Sequence, residues 1–230
     1  MDKKVITYHN QDSSIAEKYR ILRTNIKTFF IKKDKDLDLQ KSNLSSDGTK
    51  IIVLSSSSLG EGKTLTAVNL AVSMSKDIDS KVLLIDADMR SGQSGLNSLL
   101  EKDNDKPGLS DVIRKNSTLE DSIVKTKEEN LYYISKGTGQ NNPSELIGSK
   151  NMVEILDELR TKEFNFIIID APSILSYADS SILGTLSDGV VFVVKASETQ
   201  YLQIKKSISL FKHAHAEIIG LVLNNAEPFS

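Results

Sequence analysis

The stretch that decides the fold is Ser57-Ser-Leu-Gly-Glu-Gly-Lys-Thr64, which stands between an apolar run and a helical pattern. It has the spacing of a phosphate-binding P-loop, G-x-x-x-x-G-K-[ST], except that Ser57 occupies the first glycine position. Glycines allow the backbone to turn its N–H groups toward phosphate oxygens, and the helix N-terminus that follows adds positive potential. The predicted nucleotide-binding residues of this P-loop are Ser58, Gly60, Glu61, Gly62, Lys63 and Thr64.

Two side chains of the P-loop carry its chemistry. Lys63 is expected to reach the β- and γ-phosphates of a nucleotide, and the Thr64 hydroxyl is expected to ligate Mg²⁺. The next position, 65, is Leu65 rather than a threonine, so no nucleotide contact is expected from it. The alternative is a Ser/Gly-rich turn whose lysine lies in solvent. The strand–loop–helix context around Lys63 favours the phosphate site over that alternative.

The apolar pattern after residue 50 predicts the fold class. Short runs that are apolar on both faces alternate with amphipathic segments, which indicates a parallel sheet covered by helices on both sides. We therefore predict an α/β fold of the P-loop NTPase type, with a mostly parallel sheet in a single domain. The predicted strands are 51–54, 82–85, 131–134, 166–169, 190–194 and 218–223, and the predicted helices lie near 63–76, 110–115, 151–161, 178–187 and 199–213.

The residues before the P-loop domain predict one helix and a linker. Apolar residues recur at helical spacing over 13–30, with Ser13 and Ser14 as N-cap candidates and Ser14 and Glu17 at capping-box spacing. Residues 31–49 are polar and aperiodic, which is typical of a linker or loop. The predicted division is thus an N-terminal helix with its linker over 1–49, followed by the P-loop domain over 50–230.

Composition excludes several classes of function. The net charge is −2, which argues against a general nucleic-acid-binding protein. The chain has no cysteine and three histidines, so a disulfide scaffold, a thiolate metal site and a histidine-rich zinc centre are not expected. The first residues lack the apolar core of a signal peptide, and no apolar run approaches the roughly 18 residues of a membrane span. We expect a soluble, intracellular protein.

Three acids follow apolar strands at the edge where α/β sheets bind ligands. Asp86 and Asp88 come after the run 82–85, and Asp170 comes after the run 166–169. Asp86 and Asp88 are two residues apart, so both would point the same way in extended backbone. Each acid alone is equally compatible with an N-cap or a turn. Two such strand ends beside a P-loop favour a Mg²⁺ site, with Asp170 as its Walker B acid.

Taken together, these motifs resemble those of the bacterial tyrosine kinases (BY-kinases) of capsular and exopolysaccharide biosynthesis. The resemblance covers nearly the whole chain and is carried by the added Walker A′ pattern, hydrophobic-D-x-D-x-R, together with E-x-x-R-x-x-R near the N-terminus. The matching stretches are Ser56–Thr64 (Walker A), Leu83–Arg90 (Walker A′), Ile167–Pro172 (Walker B), Glu17–Asn25, Gly108–Asp111, Asn142–Leu146 and Gly220–Asn224.

The resemblance implies a protein-tyrosine kinase that uses ATP and Mg²⁺. By resemblance, Lys63, Asp86 and Asp88 are catalytic, and one of the two acids helps to deprotonate the attacking tyrosine. Arg90 and Asn224 are implied as further nucleotide contacts, Asn224 at the adenine base, although a lone Asn is also a common turn former. The implied metal ligands are Thr64, Asp86 and Asp170.

The resemblance also implies partners and a location. Glu17, Arg20 and Arg23 match the motif through which such kinases assemble into rings; without the family, a solvated helix face with i,i+3 ion pairs is the simpler interpretation. The implied activator is the cytoplasmic tail of a separate membrane polysaccharide co-polymerase. The kinase is then expected to be cytoplasmic and held peripherally at the inner face of the membrane by that partner, with a protein tyrosine as its substrate and no nucleic acid.

The chain departs from the family most at its tyrosines. Such kinases typically end in a tyrosine cluster that they phosphorylate in trans, whereas no tyrosine follows Tyr201 here. The six tyrosines are scattered, and Tyr132 and Tyr133 fall in a predicted strand. The chain is therefore either a shortened or divergent member, or its phosphoacceptors lie on another protein.

Two other functions remain open at this point. The first is a switch ATPase of the kind that partitions chromosomes or places division sites, which shares the fold. Those proteins carry an additional lysine early in the P-loop, and Ser58 stands at that position here. The second is a nucleotide-dependent scaffold that binds ATP and a membrane partner but transfers little phosphate.

Overall fold

A central β-sheet positions the P-loop and the three acids. The computed structural model describes residues 1–38, 48–91, 95–100, 106–138 and 142–226. Within these ranges the sheet has seven strands in the order β3-β4-β2-β5-β1-β6-β7. The strands are β1 Lys50–Ser56, β2 Val82–Asp86, β3 Val124–Lys125, β4 Leu131–Ile134, β5 Phe166–Asp170, β6 Gly189–Lys195 and β7 Ile218–Asn224.

Every neighbouring pair in the sheet is parallel except β3 with β4, which is antiparallel. This confirms the predicted mostly parallel α/β sheet. β1 lies between β5 and β6, so the P-loop leaves the sheet near its centre. In the pairing of β2 with β5, Asp86 is in register with Asp170. Because parallel strands end at the same edge, this register brings the two acids together beside the P-loop.

Ten helical segments surround the sheet in the described ranges. Five of them correspond to the helices predicted after residue 50, each within two residues at either end. The helices are α1 Ile6–His9, α2 Ser14–Asp38, α3 Lys63–Ser75, α4 Leu96–Leu100, α5 Leu109–Ile113, α6 Leu119–Ser122, α7 Pro143–Ile147, α8 Lys150–Arg160, α9 Asp179–Leu186 and α10 Tyr201–His213.

Helix α2 is longer than the sequence pattern predicts. The prediction ended the helix at residue 30 and placed a linker over 31–49; that is wrong for 31–38, which continue the helix to Asp38. Residues 39–47 of the predicted linker lie outside the described ranges. The polar last turns are held by ion pairs with the sheet body, Lys33 with Glu217 and Asp34 with Lys50. These tertiary partners, rather than an apolar stripe, stabilise the extra turns.

The N-terminus of α2 is capped by Ser13. The Ser13 hydroxyl accepts a hydrogen bond from the backbone N–H of Ala16 at 3.1 Å, so Ser14 is the first helical residue. The alternative capping box of Ser14 with Glu17 is therefore not formed; Glu17 instead pairs with Arg20. The apolar face of α2 packs against the sheet body, with Ile26 and Phe30 buried.

Two apolar cores cover the two faces of the sheet. Alternate residues of β1 enter opposite cores: Ile51 and Val53 pack in one, and Ile52 and Leu54 in the other. All four are fully buried, which explains why the sequence reads as a continuous apolar run. Truncating one such residue, for example Leu54→Ala, is expected to cost about 2–5 kcal/mol of stability.

Candidate functional site

The P-loop turns sharply between the end of β1 and the start of α3. Gly60 and Gly62 adopt φ values of +83° and +89°, a region in which residues with a Cβ are strained. A Cβ built on Gly62 would lie 1.9 Å from the Asn224 side-chain nitrogen. Glycine at position 62 is thus required by both backbone conformation and space. The loop leads directly into Lys63, the first residue of α3, as predicted.

The Glu61 side chain ties the P-loop to its surroundings. Its carboxylate accepts hydrogen bonds from the backbone N–H of Ser58 at 3.0 Å and from the Thr199 hydroxyl at 2.5 Å. Its backbone carbonyl accepts a third, at 2.9 Å, from the side-chain amide of Asn224. Glu61 is 5% exposed. These contacts hold the loop from the side of α10 and β7, so the side chain of Glu61 acts as a positioning group.

Lys63 lies among the acids at the strand ends. Its Nζ is 2.7 Å from Asp88 Oδ2 and 3.9 Å from Asp170 Oδ1. The lysine is 7% exposed. Burial lowers the pKa of Lys63, but the neighbouring carboxylates, led by Asp170, outweigh burial and the net pKa is raised. The ammonium group is therefore charged across the physiological range.

The two residues after Lys63 lie in the first turn of α3 and differ in what they offer a ligand. The Thr64 hydroxyl is 3.4 Å from Lys63 Nζ, on the side of the acids, where a hydroxyl ligand for a metal is expected. Position 65 holds Leu65 rather than a threonine, so it has no hydroxyl to give. Leu65 is half-buried within α3, and its backbone carbonyl accepts a hydrogen bond from the Asn69 side chain at 2.9 Å. A threonine contact at position 65 is therefore missing from this site, and Thr64 supplies the only hydroxyl of the two.

Two of the buried acids, Asp86 and Asp170, have pKa values above those of an ordinary aspartate. Burial, together with the adjacent Asp170 carboxylate, raises the pKa of Asp86 to about 8. Burial also raises the pKa of Asp170 to about 6, against the opposing effects of Lys63 and Thr64. Asp86 and Asp170 are 2% and 1% exposed. A divalent cation favours ionised carboxylates, so binding of such an ion here would release protons.

The residues at this edge fit a Mg²⁺ ion that is shared with phosphates. Asp170 Oδ1 is buried and has no hydrogen-bond partner among the described residues, as expected of an oxygen reserved for a ligand. In the same ranges, no three acidic or histidine side chains form a group that holds a metal by itself. Mg²⁺ characteristically takes one or two carboxylates and completes its shell with waters and phosphate oxygens.

Arg90 is half-buried and forms a second polar group with the buried Asp179. Its guanidinium binds both carboxylate oxygens of Asp179, at 2.9 and 3.2 Å, and donates to the Ser144 hydroxyl at 2.7 Å. It also stacks on the Tyr177 ring at 4.1 Å. Asp179 is fully buried. Arg90 therefore joins the Walker A′ segment to α7 and α9 in this conformation, and its predicted contact with a nucleotide remains a prediction.

Asn224 lies at the end of β7 with its side chain against the P-loop. Its amide nitrogen donates to the Glu61 carbonyl, which places it beside Gly62. The alternative interpretation as a turn former is not needed, because Asn224 is the last residue of β7 and the turn comes after it. A contact with an adenine base from this position remains a prediction.

The predicted oligomerisation residues behave differently from one another. Glu17 and Arg20 form an exposed i,i+3 pair at 2.5 Å, which is the arrangement expected of a solvated helix face. Arg23 is 17% exposed and contacts residues at the end of α3 within the chain, through Asp77 at 2.9 Å and the Ser73 carbonyl at 2.5 Å. Ring formation through these three residues stays a prediction.

The sequence patterns missed two residues that support the site, one at the P-loop and one at Arg90. Thr199 and Asp179 contact residues 138 and 89 positions away along the chain, and nothing in their local sequence distinguishes them. Asp179 had one available signal, its position at the start of a predicted helix, which suggests only a cap.

Comparison with known proteins places the chain in a family. Residues 49–218 match the family described as AAA domain. Tyrosine-protein kinase YwqD of Bacillus subtilis is 33% identical over 224 residues, which are 97% of this chain and 86% of that protein. Putative tyrosine-protein kinase CapB of Staphylococcus aureus is 31% identical over 212 residues, 92% of this chain and 85% of that protein. The chain belongs to the bacterial tyrosine kinases.

Two solved structures resemble this chain over most of its length. The crystal structure of the chimerical protein CapA2B2 superposes with a TM-score of 0.82 and 30% identity, over 98% of this chain and 91% of that one. The septum site-determining protein MinD of Pyrococcus horikoshii, complexed with Mg-ADP, gives a TM-score of 0.65 and 26% identity over 78% of this chain and 72% of that one. Bacterial tyrosine kinases thus share their P-loop fold with division-site ATPases.

Some bacterial tyrosine kinases are much longer than this chain. The chain spans 24% and 23% of the putative tyrosine-protein kinases EpsB of two Ralstonia species.

None of the described helices is both long and apolar enough to cross a lipid bilayer.

Proposed function

We propose that the chain transfers the γ-phosphoryl group of Mg²⁺·ATP to protein tyrosines and that this activity controls polymerisation and export of a capsular or extracellular polysaccharide. The observation that carries the proposal is the convergence of Lys63 with Asp88 and Asp170, at 2.7 and 3.9 Å, where the P-loop meets the ends of β2 and β5. A cation and buried acids at a phosphate loop are the parts that phosphoryl transfer needs.

In this proposal each residue of the site has one task. Lys63 leaves its acid partners to bind the β- and γ-phosphates, and the backbone around Gly60 and Gly62 binds the remaining oxygens. Thr64, Asp86 and Asp170 hold the metal, which neutralises phosphate charge when bound. Asp86 or Asp88 accepts the proton of the attacking phenol, whose ordinary pKa near ~10 makes a nearby acceptor useful.

Labelled ATP tests the proposal directly. The purified chain is incubated with [γ-³²P]ATP, Mg²⁺ and a random Glu–Tyr copolymer as acceptor, and phosphotyrosine and free phosphate are measured separately. We expect label on tyrosine and a loss of about 10²-fold or more in Lys63→Met, because the phosphate-binding cation is removed. The exposed Lys212→Met is the matched control and should retain full transfer. Phosphotyrosine that persists in Lys63→Met would overturn the assignment.

The same experiment separates the two other functions. Free phosphate without phosphotyrosine would indicate a switch ATPase, the activity class suggested by the fold shared with MinD. The P-loop position that distinguishes the two is 58, where such ATPases carry an additional lysine and this chain has Ser58. Neither product, with nucleotide binding intact, would indicate an ATP-binding scaffold.

The partner and location are part of the proposal. We propose that a membrane polysaccharide co-polymerase activates the kinase through its cytoplasmic tail and holds it at the inner face of the membrane. Addition of a synthetic peptide of such a tail to the copolymer assay should raise the rate, whereas a scrambled peptide should not. An equal rate with both peptides would contradict activation by a tail.

We also propose self-association through the exposed Glu17–Arg20 face of α2. The molar mass in solution tests this by light scattering, with Arg20→Glu as the variant and the exposed Lys18→Glu as its control. A mass that is unchanged between Arg20→Glu and the unmodified chain would contradict a role for this face.

A further inference from the structure

The six tyrosines of the chain differ sharply in how accessible they are. Tyr201 is 75% exposed, whereas Tyr133 is 2% exposed. The other four are half-buried. Three of these four have rings that pack on a neighbour within the chain: Tyr8 on His9, Tyr132 on Phe164 and Tyr177 on Arg90. Tyr201 is thus by far the most exposed tyrosine of the chain.

Tyr201 is connected to the P-loop through the segment that precedes it. It is the first residue of α10, which follows β6, and β6 ends at the same edge of the sheet as β1. Thr199, two residues before it, donates a hydrogen bond to Glu61 of the P-loop. In the described parts of the chain, the Tyr201 hydroxyl has no hydrogen-bond partner, so its oxygen is available.

The surroundings of Tyr201 accommodate a new negative charge. The first turn of α10 contains no acid. Lys205 is exposed and lies four residues further along, on the same face of the helix as Tyr201. A phosphate group adds about −1.5 to −2 charges at pH 7, which a cation at this spacing pairs with. The glutamate three positions earlier, Glu198, is already paired with Lys195 at 2.7 Å.

We propose that Tyr201 is a phosphoacceptor, phosphorylated by a second copy of this chain. The proposal rests on the kinase function proposed above and names its substrate tyrosine. In the transfer, the Tyr201 oxygen bonds to the γ-phosphorus of ATP while the bond from that phosphorus to the bridging oxygen breaks. ADP leaves, and the phenolic proton passes to an acid of the acting copy.

The contacts of the loop argue for transfer between copies. Tyr201 is linked through Thr199 to Glu61, whereas Lys63 is directed to Asp88 and Asp170. The segment that carries Tyr201 thus contacts the P-loop at Glu61 and not at Lys63 or its acid partners. A separate molecule therefore presents Tyr201 to the site.

An isotope-labelled acceptor tests the proposal. A ¹⁵N-labelled Lys63→Met chain, unable to phosphorylate itself, is mixed with unlabelled Tyr201→Phe chain, Mg²⁺·ATP and the Glu–Tyr copolymer. The ¹⁵N tryptic peptide Ala196–Lys205 contains a single tyrosine, so fragment masses assign the phosphate. We expect phosphate on Tyr201 of this peptide. Acceptor chains that also carry Tyr201→Phe should lose at least ~90% of the phosphate found on the acceptor. Acceptor chains that also carry Tyr132→Phe should keep that phosphate.

The copolymer distinguishes the two possible failures. The inference about Tyr201 is overturned, and the kinase function stands, if the copolymer is phosphorylated while Tyr201 is not. The same conclusion follows if Tyr201→Phe leaves the amount of phosphate on the acceptor chain unchanged. If neither acceptor is phosphorylated, the proposed kinase function is overturned and the inference with it.

Discussion

Lys63 Nζ lies 2.7 Å from Asp88 Oδ2, so the cation of the P-loop is paired with an acid of the Walker A′ segment in the chain alone. The pair is nearly buried, with side-chain exposures of 9% and 3%. In the proposed function a phosphate competes with Asp88 for the same ammonium group, so nucleotide binding is expected to exchange this ion pair. The geometry thus links occupation of the P-loop to release of Asp88.

Asp88→Asn tests this exchange. The variant keeps the shape of the Asp88 side chain but removes its negative charge. Residue 88 then holds the Lys63 ammonium group less strongly, and the site repels phosphate less. We expect Mg²⁺-free ADP to bind about tenfold more tightly, which corresponds to about 1.4 kcal/mol. If Asp88 accepts the phenolic proton, copolymer phosphorylation falls by about 10²–10⁴-fold. Calorimetry and the labelled assay measure the two effects; weaker ADP binding would contradict the exchange.

Asp86→Asn tests the raised pKa of the neighbouring acid. The pKa of Asp86 is about 8 in the folded chain and near ~4 when unfolded, so between these values the folded state holds a proton that the unfolded state releases. The free energy of unfolding therefore decreases as pH rises from about 4 to 8. Asparagine does not titrate, so its contribution to the free energy of unfolding does not change with pH. We expect the variant to be as stable as the unmodified chain at pH 4 and more stable than it at pH 8.

Thermal unfolding in the presence of EDTA measures this difference. The control is Asp157→Asn, which removes one negative charge from the exposed face of α8. A stability difference between Asp86→Asn and the unmodified chain that does not change with pH would show that Asp86 is ionised in the folded chain across the range.

The strands and long helices were predictable because burial imposes a pattern on the sequence. Ile51 and Ile52 enter opposite cores, so β1 and its neighbours read as continuous apolar runs. The elements that the sequence did not predict are too short to show a period: α1, α4, α6 and α7 have four or five residues, and β3 has two. The last turns of α2 were missed for a different reason, since Asp34 is stabilised by Lys50 rather than by an apolar stripe.

The candidate site residues were predictable where they belong to one short sequence motif. They were not predictable where they depend on a contact between residues far apart in the sequence. Lys63 and Thr64 follow from the P-loop spacing, and Asp86 and Asp170 follow from their positions after apolar strands. The ion pair of Arg90 with Asp179 joins residues 89 positions apart, and no pattern within either segment indicates it. The structure was therefore needed to find what supports the site.

Thr199→Val tests whether the β6–α10 loop positions the P-loop. The variant removes the hydroxyl that donates to Glu61 at 2.5 Å and leaves a buried carboxylate oxygen without this partner. An unpaired buried acceptor costs about 1–3 kcal/mol, and the P-loop is expected to become less ordered as a result. We therefore expect the apparent KM for ATP to rise about 5- to 30-fold. The exposed Thr185→Val is the control. An unchanged KM would show that the P-loop keeps its shape without Thr199.

Gly62→Ala tests the space beside the P-loop. At φ +89° an alanine is strained, and its Cβ would also displace the Asn224 amide. Gly60→Ala is the matched variant, because Gly60 has nearly the same φ, +83°, with nothing within 4 Å of the added Cβ. Both variants should lose about 1–2 kcal/mol from strain, and Gly62→Ala should bind ADP more weakly than Gly60→Ala. Adding Asn224→Ala should recover that difference; no recovery would contradict the contact.

Arg90→Met tests the buried ion pair with Asp179. Asp179 is fully buried, so loss of the guanidinium leaves a buried carboxylate whose charge is no longer balanced. We expect the free energy of unfolding to fall by about 3–5 kcal/mol. The double variant Arg90→Met/Asp179→Asn should be more stable than Arg90→Met alone, because it removes the unbalanced charge. Urea unfolding at pH 7 measures all three chains.

The control for this pair is Lys81→Met, which breaks the exposed ion pair with Glu163 at 2.6 Å. Both members of that pair are exposed, so its loss should leave the free energy of unfolding nearly unchanged. A loss for Arg90→Met as small as that for Lys81→Met would mean that Asp179 does not depend on Arg90. The Walker A′ arginine would then be free to turn toward a nucleotide at little cost in stability, which is the role that the sequence motif predicts for it.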